Sequence, residues 1–402
     1  MTDSVTERYL RLGLQIGRHV DGIVDSYYGP PALEVEVDTR PPVEPRALVA
    51  DAEALLDELE DGWVRDQVLG LRTYAGVLAG ESYSYADEVE GCYGVRPSHT
   101  DEAVFEAAHE ELEQLLPGEG PLGERYRCWE ESIRIPTETV ERTVAAVIEE
   151  ARVATRVLVG LPEGEGVDLV IVREVPWLGF CEYRGDLRSQ ISVNVDLPMS
   201  ALELLVLTIH ETYAGHHAES CTKEQALVRE RGLLEQTIAL VPTPQSVVSE
   251  GIAALAPDVL LEGESRSAFS AVLHDAGIEL DLGHVLAVKQ AAEPCRWAEV
   301  NAALMLHDGG AGTDEVQAYL ERWGLNTPEL AAHIVRFLKE PTSRTYITTY
   351  HAGHELCRSY VAEDTERFRR LLTEQIRVRD LLEARGAGAP IAPVVQARSS
   401  AR

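Results

Sequence analysis

The chain has 402 residues, a formal net charge of −32 and an apolar content of 45%. Because a negative field of this size repels polyanions, nucleic acids and anionic membrane surfaces are excluded as partners. No apolar run reaches the length of a membrane span, and the N-terminus has no basic and hydrophobic leader, so a cytoplasmic protein without a membrane partner is expected.

Helical periodicity, interrupted by proline and glycine, predicts that most of the chain is helical. The predicted helices span 4–28, 44–60, 62–79, 100–116, 121–134, 137–159, 264–275, 277–306, 313–324, 327–339, 342–361 and 364–385. β-rich runs at 167–195 predict a small sheet of two or three strands. We therefore predict a mainly α fold with one large domain over 1–385, followed by a disordered tail at 386–402. The domain comprises a helical N-terminal part (1–160), the sheet (167–195) and a second helical part (198–385).

The strand predicted at 190–195 has two interpretations. The strand could bind an extended substrate through main-chain hydrogen bonds, and Asn194 would then contact that substrate. The alternative is a hairpin with a purely structural role. This strand leads into the most unusual helix of the sequence.

That helix is predicted to begin at Ser200, which forms a capping-box pattern with Glu203, and to continue through an apolar run to His210 and Glu211. Charged groups at the end of so apolar a segment are costly to bury unless they are paired or bound to metal. We interpret His210 as a zinc ligand and Glu211 as a general base. The alternative is a histidine cluster that caps a helix C-terminus. Because the six cysteines show no CxxC spacing, thiolate ligands are not expected.

A second histidine ligand is expected after His210, but the usual position, four residues later, is Ala214. On an unbroken helix His217 has the same azimuth as His210 but lies about 10.5 Å further along the axis. A bulge that absorbs two residues, made easier by Gly215, would bring His216 to the metal instead. We predict His216 as the second ligand and keep His217 as the alternative.

The third ligand is predicted to be Glu250, the one charged residue in a short apolar helix at 246–255. Pro257 is expected to stop that helix. The alternative is a structural glutamate that is paired with an arginine or a helix end. Two histidines and one carboxylate would leave one position of a tetrahedral zinc ion for water.

A helix predicted near the C-terminus carries tyrosine, histidine and arginine on one side. Tyr350 and His351 would stabilise an oxyanion as hydrogen-bond donors. Arg344, Arg358 and Tyr346 would bind the substrate, the arginines through a carboxylate. The alternative is a polar stripe that is neutralised by acidic neighbours.

These motifs resemble domain-of-unknown-function family 885, whose signature is His-Glu-x-x-Pro-Gly-His-His followed by a Glu-Gly helix. The specific matches are His210 to Glu224, with Ala214 in place of the proline, and Ser249-Glu250-Gly251; Asp25 to Pro30 and Tyr350-x-x-Gly353 match more weakly. The resemblance implies a fold like that of the thermostable metallocarboxypeptidases of the Glu-zinc peptidase clan, with zinc as the cofactor. Without the proline the chain lacks a fixed kink at this position. The backbone here is therefore expected to differ from that of the family, whereas the types of metal ligand are expected to be the same.

The predicted function is therefore zinc-dependent, carboxypeptidase-like hydrolysis of a peptide or amide bond. Glu211 would take the proton of a metal-activated water and pass it to the leaving amine. Carboxypeptidase action is implied by the resemblance alone. Two alternatives stay open: a zinc hydrolase of a small amide metabolite, and a non-enzymatic helical scaffold with a vestigial metal site. The expected partner is a peptide or small amide substrate, and a homodimer is possible.

Overall fold

The structure is a computed structural model and describes residues 4–175, 177–341, 343–386 and 391. The tail predicted at 386–402 lies outside the described residues, apart from Gly386 and Ile391. The fold is mainly α with small sheets, as predicted. The helices are α1 (Val5–Gly17), α2 (Pro31–Thr39), α3 (Pro45–Glu58), α4 (Trp63–Leu78), α5 (Tyr85–Tyr93), α6 (Glu102–Leu115), α7 (Leu122–Ser132), α8 (Thr137–Leu158), α9 (Ala201–Glu211), α10 (His216–Lys223), α11 (Pro244–Leu260), α12 (Gly263–Asp275), α13 (Leu282–Ala292), α14 (Ala298–His307), α15 (Thr313–Trp323), α16 (Pro328–Lys339), α17 (Ile347–Val361), α18 (Thr365–Thr373) and α19 (Val378–Arg385).

Two small sheets accompany the helices. The strands are β1 (Val24–Tyr27), β2 (Gly166–Val172), β3 (Gly179–Tyr183), β4 (Arg188–Asn194) and β5 (Ile238–Leu240). β4 lies in the middle of a three-stranded sheet, parallel to β2 and antiparallel to β3, while β1 and β5 form a separate antiparallel pair. Because β4 is hydrogen-bonded on both sides, it has no free edge, and the prediction that 190–195 pairs with substrate is wrong.

Several predicted helix boundaries are also wrong. The helix predicted at 4–28 ends at Gly17, where a Cβ would lie 2.7 Å from Val24 Cγ2 of the returning chain. The helices predicted at 277–306 and 364–385 are each divided into two. Apolar periodicity continues across these breaks because both halves of each pair bury apolar side chains, although α13 and α14 do so mainly in two different clusters. Helices α2 and α5 and strands β1 and β5 were not predicted.

One hydrophobic cluster contains buried side chains from Tyr9 in α1 to Leu381 in α19. Helix α11 packs against α9 and α17, and it continues through Pro257 instead of ending there. Pro257 removes one backbone hydrogen bond, but burial of α11, including Ala256 and Leu260, offsets that loss. No helix in the described part of the chain is long and apolar enough to cross a membrane.

Helices α11 and α17 approach each other closely at two glycines. A Cβ at Gly251 would lie 2.4 Å from the carbonyl oxygen of Gly353, and a Cβ at Gly353 would lie 2.2 Å from the carbonyl oxygen of Val247. Since backbone atoms cannot move aside without separating the helices, only glycine fits at both positions.

Gly251→Ala is therefore expected to lower the free energy of unfolding by about 1–3 kcal/mol or more, because the added methyl group overpacks the helix crossing. Urea denaturation measures the change. Gly123→Ala in α7 is the matched control, since a Cβ there would meet only the end of the flexible Arg127 side chain, at 3.5 Å. Equal stabilities of the two variants would contradict the tight crossing.

Candidate metal centre

The first part of the site is α9, which starts where the sequence predicts. The Ser200 hydroxyl accepts a hydrogen bond from the Glu203 amide at 3.1 Å, and the Glu203 carboxylate accepts one from the Ser200 amide at 2.8 Å. This capping box satisfies two N–H groups that a helix start leaves unpaired. The helix then extends to Glu211 and places His210 in its last turn.

The chain between His210 and His216 does not form the predicted bulge. Helix α9 ends at Glu211, and a second helix, α10, begins at His216. Ala214 between them has a φ of 66°, a value that proline with its fixed φ cannot adopt. A Cβ at Gly215 would lie 2.0 Å from the carbonyl oxygen of His210, so glycine is required for the chain to fold back this tightly.

This reversal brings His210 and His216 together with Glu250 of α11. The Nε2 atoms of the two histidines lie 3.5 and 3.8 Å from Glu250 Oε2, and the three ligand atoms all lie within 4.8 Å of one another. The imidazole rings meet edge to face with their centroids 4.7 Å apart. In a tetrahedral zinc site with bonds of about 2.1 Å, neighbouring ligand atoms are roughly 3.4 Å apart. The arrangement therefore fits two histidines and one carboxylate on one ion.

The Glu250 carboxylate is buried, and only one of its two oxygens has a hydrogen-bond partner among the described residues. Its Oε1 accepts a hydrogen bond of 2.6 Å from the Tyr346 hydroxyl, whereas Oε2 has no hydrogen-bond partner among the described residues. Burial raises the pKa of Glu250, but His210 and His216 outweigh it and hold the pKa below its ordinary value. Because an unpartnered buried oxygen costs about 1–3 kcal/mol, this atom is suited to a metal ion.

A chain of polar residues also orients His216. Its Nδ1 lies 3.2 Å from the Ser249 hydroxyl, which donates to Glu219 at 2.6 Å, and Lys223 forms an ion pair with the same glutamate at 2.6 Å. Because the Ser249 hydrogen is directed to Glu219, its oxygen accepts from Nδ1–H. The lone pair of His216 is then on Nε2, which faces Glu250. Sequence reasoning missed Ser249 and Glu219, although Ser249 stands next to a predicted ligand.

The three ligands line a cavity of about 520 Å³. Glu211 and Tyr350 line it as well, together with Tyr346. Within the described part of the chain, the Glu211 carboxylate and the Tyr350 hydroxyl have no hydrogen-bond or ion-pair partner. Both groups are thus available to a molecule in the cavity.

His217, the alternative ligand, lies outside this group. Its imidazole is buried, with Nδ1 2.8 Å from the Ser189 hydroxyl and Nε2 3.3 Å from Glu165. Burial lowers the pKa of His217, while burial alone would raise that of Glu165. Hydrogen bonds from His217, Tyr213 and Arg152 reverse that effect and lower the pKa of Glu165 to about 2. The structure thus gives His217 a different set of partners.

Four other predicted residues are not among the described residues that line the cavity. Three of them form ion pairs: His351 with Glu299, Arg344 with Glu88, and Arg358 with Glu355. The Asn194 amide donates to the backbone carbonyl of Val175 at 3.0 Å. In a chain with 68 acidic and 36 basic residues, arginines find carboxylate partners easily. Arg344 also precedes α17, so it does not continue the helix face on which it was predicted.

A buried ionic network holds α11 against α17 beside the site. His354 of α17 lies 3.0 Å from Asp258 of α11 and 3.3 Å from Glu293, and Lys289 pairs with Asp258 at 2.6 Å. Burial alone would lower the pKa of His354, but the two carboxylates raise it to about 9. The charged imidazolium therefore stabilises the helix pair.

The contribution of His354 is expected to be complete below about pH 6.5 and to disappear as the pH rises through about 9, since the folded-state pKa exceeds the ordinary one. The shift in the pKa of His354 corresponds to a contribution of roughly 3 kcal/mol to the free energy of unfolding. Urea denaturation at pH 6 and pH 10 should show this loss in the wild type but not in His354→Gln. His274→Gln, at an exposed histidine, is the control. An identical pH dependence in wild type and His354→Gln would contradict the assignment.

No protein-family model matches the chain, and no curated protein matches it. Solved structures with a similar fold include a putative lipoprotein from Colwellia psychrerythraea, with a TM-score of 0.55 and 15% identity over 87% of this chain and 64% of that one. A putative lipoprotein of unknown function from Shewanella oneidensis has a TM-score of 0.50 and 12% identity, over 92% of this chain and 69% of that one. At these identities the likeness concerns the fold alone. The chain spans less than two thirds of the length of the Colwellia protein.

Proposed function

We propose that this protein is a zinc-dependent hydrolase of peptide or amide bonds, with His210, His216 and Glu250 as the zinc ligands. The observation that carries the proposal is the buried, unpartnered Glu250 Oε2, which faces the Nε2 atoms of both histidines. A structural glutamate would be expected to satisfy both of its oxygens from the protein. The family resemblance adds to this argument, although it stays a hypothesis.

The remaining residues have roles that follow from their positions. Zinc would supply Lewis acidity to the scissile carbonyl and to a water molecule. Glu211, on the cavity wall next to ligand His210, accepts the proton of the attacking water and returns it to the leaving amine. Tyr350 donates to the oxyanion, and Tyr346 orients Glu250 through its hydroxyl.

The cavity favours a peptide over a small metabolite. Its volume of about 520 Å³ accommodates a short peptide segment and a small ligand equally, so the preference rests on the strand edge beside it. Gly179, Phe180 and Cys181 of β3 line it, and among the described residues β3 pairs only with β4. The second edge of β3, rather than the central β4, is therefore the strand edge to which an extended substrate would add.

Carboxypeptidase action has less support. The described residues that line the cavity include no arginine, and Lys223 is already paired with Glu219. A dedicated carboxylate anchor is thus not evident in the cavity wall. Exopeptidase specificity remains part of the proposal through the family resemblance. A cytoplasmic location is likewise proposed on the composition alone.

Digestion of a mixed peptide library, followed by mass spectrometry, tests the proposed activity. Zinc-loaded protein should cleave a subset of peptides, and protein stripped with a chelator should cleave none until zinc is restored. The positions of the cleaved bonds distinguish C-terminal trimming from internal cleavage. A zinc-loaded, folded protein that cleaves no peptide and no small amide would overturn the hydrolase proposal and favour the scaffold.

Separate alanine variants test the assignment of the second histidine. His216→Ala is expected to lose the wild-type zinc stoichiometry of about one ion per chain, because it removes one of three protein ligands. His217→Ala should retain zinc wherever the protein stays folded. Elemental analysis gives the metal content, and circular dichroism monitors folding. Zinc retained in His216→Ala and lost in folded His217→Ala would reverse the assignment.

A further inference from the structure

Asp25 occupies an irregular position in strand β1. The pairing with β5 joins Val24 to Leu240 and Ser26 to Ala239, so two steps along β1 match one step along β5. Asp25 is therefore the extra residue of a β-bulge. Bulges redirect a side chain and occur frequently beside functional sites.

The bulge places Asp25 in the wall of the cavity that contains the candidate zinc ligands. Its carboxylate is exposed to that cavity and has no hydrogen-bond or ion-pair partner within the described ranges. Two arginines lie in an adjacent depression, but both are already paired: Arg18 with Asp38 at 3.1 Å and Arg184 with Glu182 at 2.9 Å. The carboxylate of Asp25 thus has no positive partner from the protein.

The described cavity wall carries more negative than positive charge. The acidic residues among the described lining are Asp21, Asp25, Glu211, Glu219 and Glu250. Lys223 neutralises Glu219, and a zinc ion would offset the charges of Glu211 and Glu250. Two negative charges remain, and both belong to the β1 side of the cavity.

The surroundings of Asp25 favour the neutral form of its carboxyl group. Part of the side chain is exposed in the cavity, but the surrounding protein atoms desolvate the carboxyl group and raise its pKa to about 6; Glu250, Glu211 and Glu182 add to this rise while His216 opposes it. A nearby ammonium group would favour the ionised form of this carboxyl group.

We propose that Asp25 binds a positively charged amine of the substrate, so that the enzyme selects peptides or amides that carry an ammonium group on the β1 side of the scissile bond. This inference rests on the proposed function for its zinc site and its reaction. The ammonium is either the α-amino group of a short peptide or the side chain of a lysine. A second metal ion is the weaker interpretation, because Asp25 does not belong to any group of three converging metal-ligand residues among those described.

Binding measurements on zinc-loaded Glu211→Gln protein test the proposal without turnover. The probes are a tripeptide with a free amino group, its N-acetylated form, and acetylated tripeptides with lysine or norleucine. One amine-bearing probe is expected to bind about 10-fold or more tightly than its uncharged counterpart, since a charge-assisted hydrogen bond would be lost. The pair that shows the difference identifies the α-amino group or the lysine side chain as the source.

The same measurements on the double variant with Asp25→Asn should reduce the preference to less than about 2-fold. Asp51→Asn, at an exposed position of α3, removes the same charge elsewhere and should keep the full preference. Equal affinity for charged and uncharged probes, or no measurable binding of any probe, would overturn the proposal. A second zinc ion that is lost in Asp25→Asn would overturn it in favour of a metal ligand.

These outcomes are separable from a failure of the proposed function. If the wild type binds amine-bearing peptides through Asp25 but cleaves none of them, the hydrolase proposal fails and amine recognition stands. If peptides are cleaved with no dependence on charge or on Asp25, amine recognition fails and the hydrolase proposal stands.

Discussion

Replacing Glu211 with glutamine is expected to reduce the rate of amide hydrolysis by about 10²–10⁴-fold while the zinc content stays at the wild-type level. The amide has nearly the same shape as the carboxylate but cannot accept a proton from water. Glu211 lines the cavity and lies outside the group of converging ligand atoms, so the metal should not depend on it. The rate is measured with a peptide that the library digestion identifies as a substrate.

Glu113→Gln is the matched control for this experiment. Glu113 lies on helix α6 with its side chain paired to Arg125 at 3.3 Å, and it is not among the described residues that line the cavity with Glu211. The control should retain the wild-type rate. A Glu211→Gln variant that hydrolyses the substrate as fast as the wild type would show that Glu211 is not the base.

Glu250→Gln is expected to lower the zinc affinity by at least about 100-fold. Substitution of a residue that only supports a metal ligand typically lowers the metal affinity by about 10–100-fold, and Glu250 is itself a proposed ligand. The substitution removes the negative charge of the only carboxylate in the ligand group. It also keeps the hydrogen bond from Tyr346, since the amide oxygen accepts as the carboxylate does. Competition with a chromophoric chelator measures the affinity.

A second variant, with a smaller expected loss of zinc affinity, is the control for Glu250→Gln. Glu219→Gln weakens the support of His216 through Ser249 without removing a ligand, so an affinity loss of about 10-fold is expected. Thermal unfolding of the metal-free proteins shows whether the variants are folded. Wild-type zinc affinity in a folded Glu250→Gln variant would remove the ligand assignment and with it the main support for the proposed function.

Local signals explain what could be predicted about the site. The start of α9 at Ser200 was predicted correctly because a capping box involves only a side chain and the backbone three residues away. His210, His216 and Glu250 were selected because charged groups in apolar helices need a partner. That argument depends on composition within a helix and not on the position of the helix in the fold.

Other features depend on backbone geometry or on partner residues that periodicity and spacing do not reveal. At Ala214 and Gly215 the chain folds back against the carbonyl oxygen of His210, whereas spacing alone suggested a bulge. The ion pair of Arg344 uses Glu88 of α5, so the sequence around α17 could not show that this arginine is already satisfied. Arg358 instead pairs with Glu355, three residues earlier in the same helix, which is a local signal that sequence reasoning missed.

The amino-acid sequence by itself determined the mainly helical class, the start of α9 and the residue types of the candidate metal centre, because these follow from periodicity, capping and the cost of burying charge. The tertiary structure alone decided that β4 is a central strand, that His217 binds Glu165, and that Asp25 lines the same cavity as His216. These features depend on contacts between strands and helices that are separated along the sequence. The energy of such contacts is distributed over the packed core, so no single segment of the sequence reveals them.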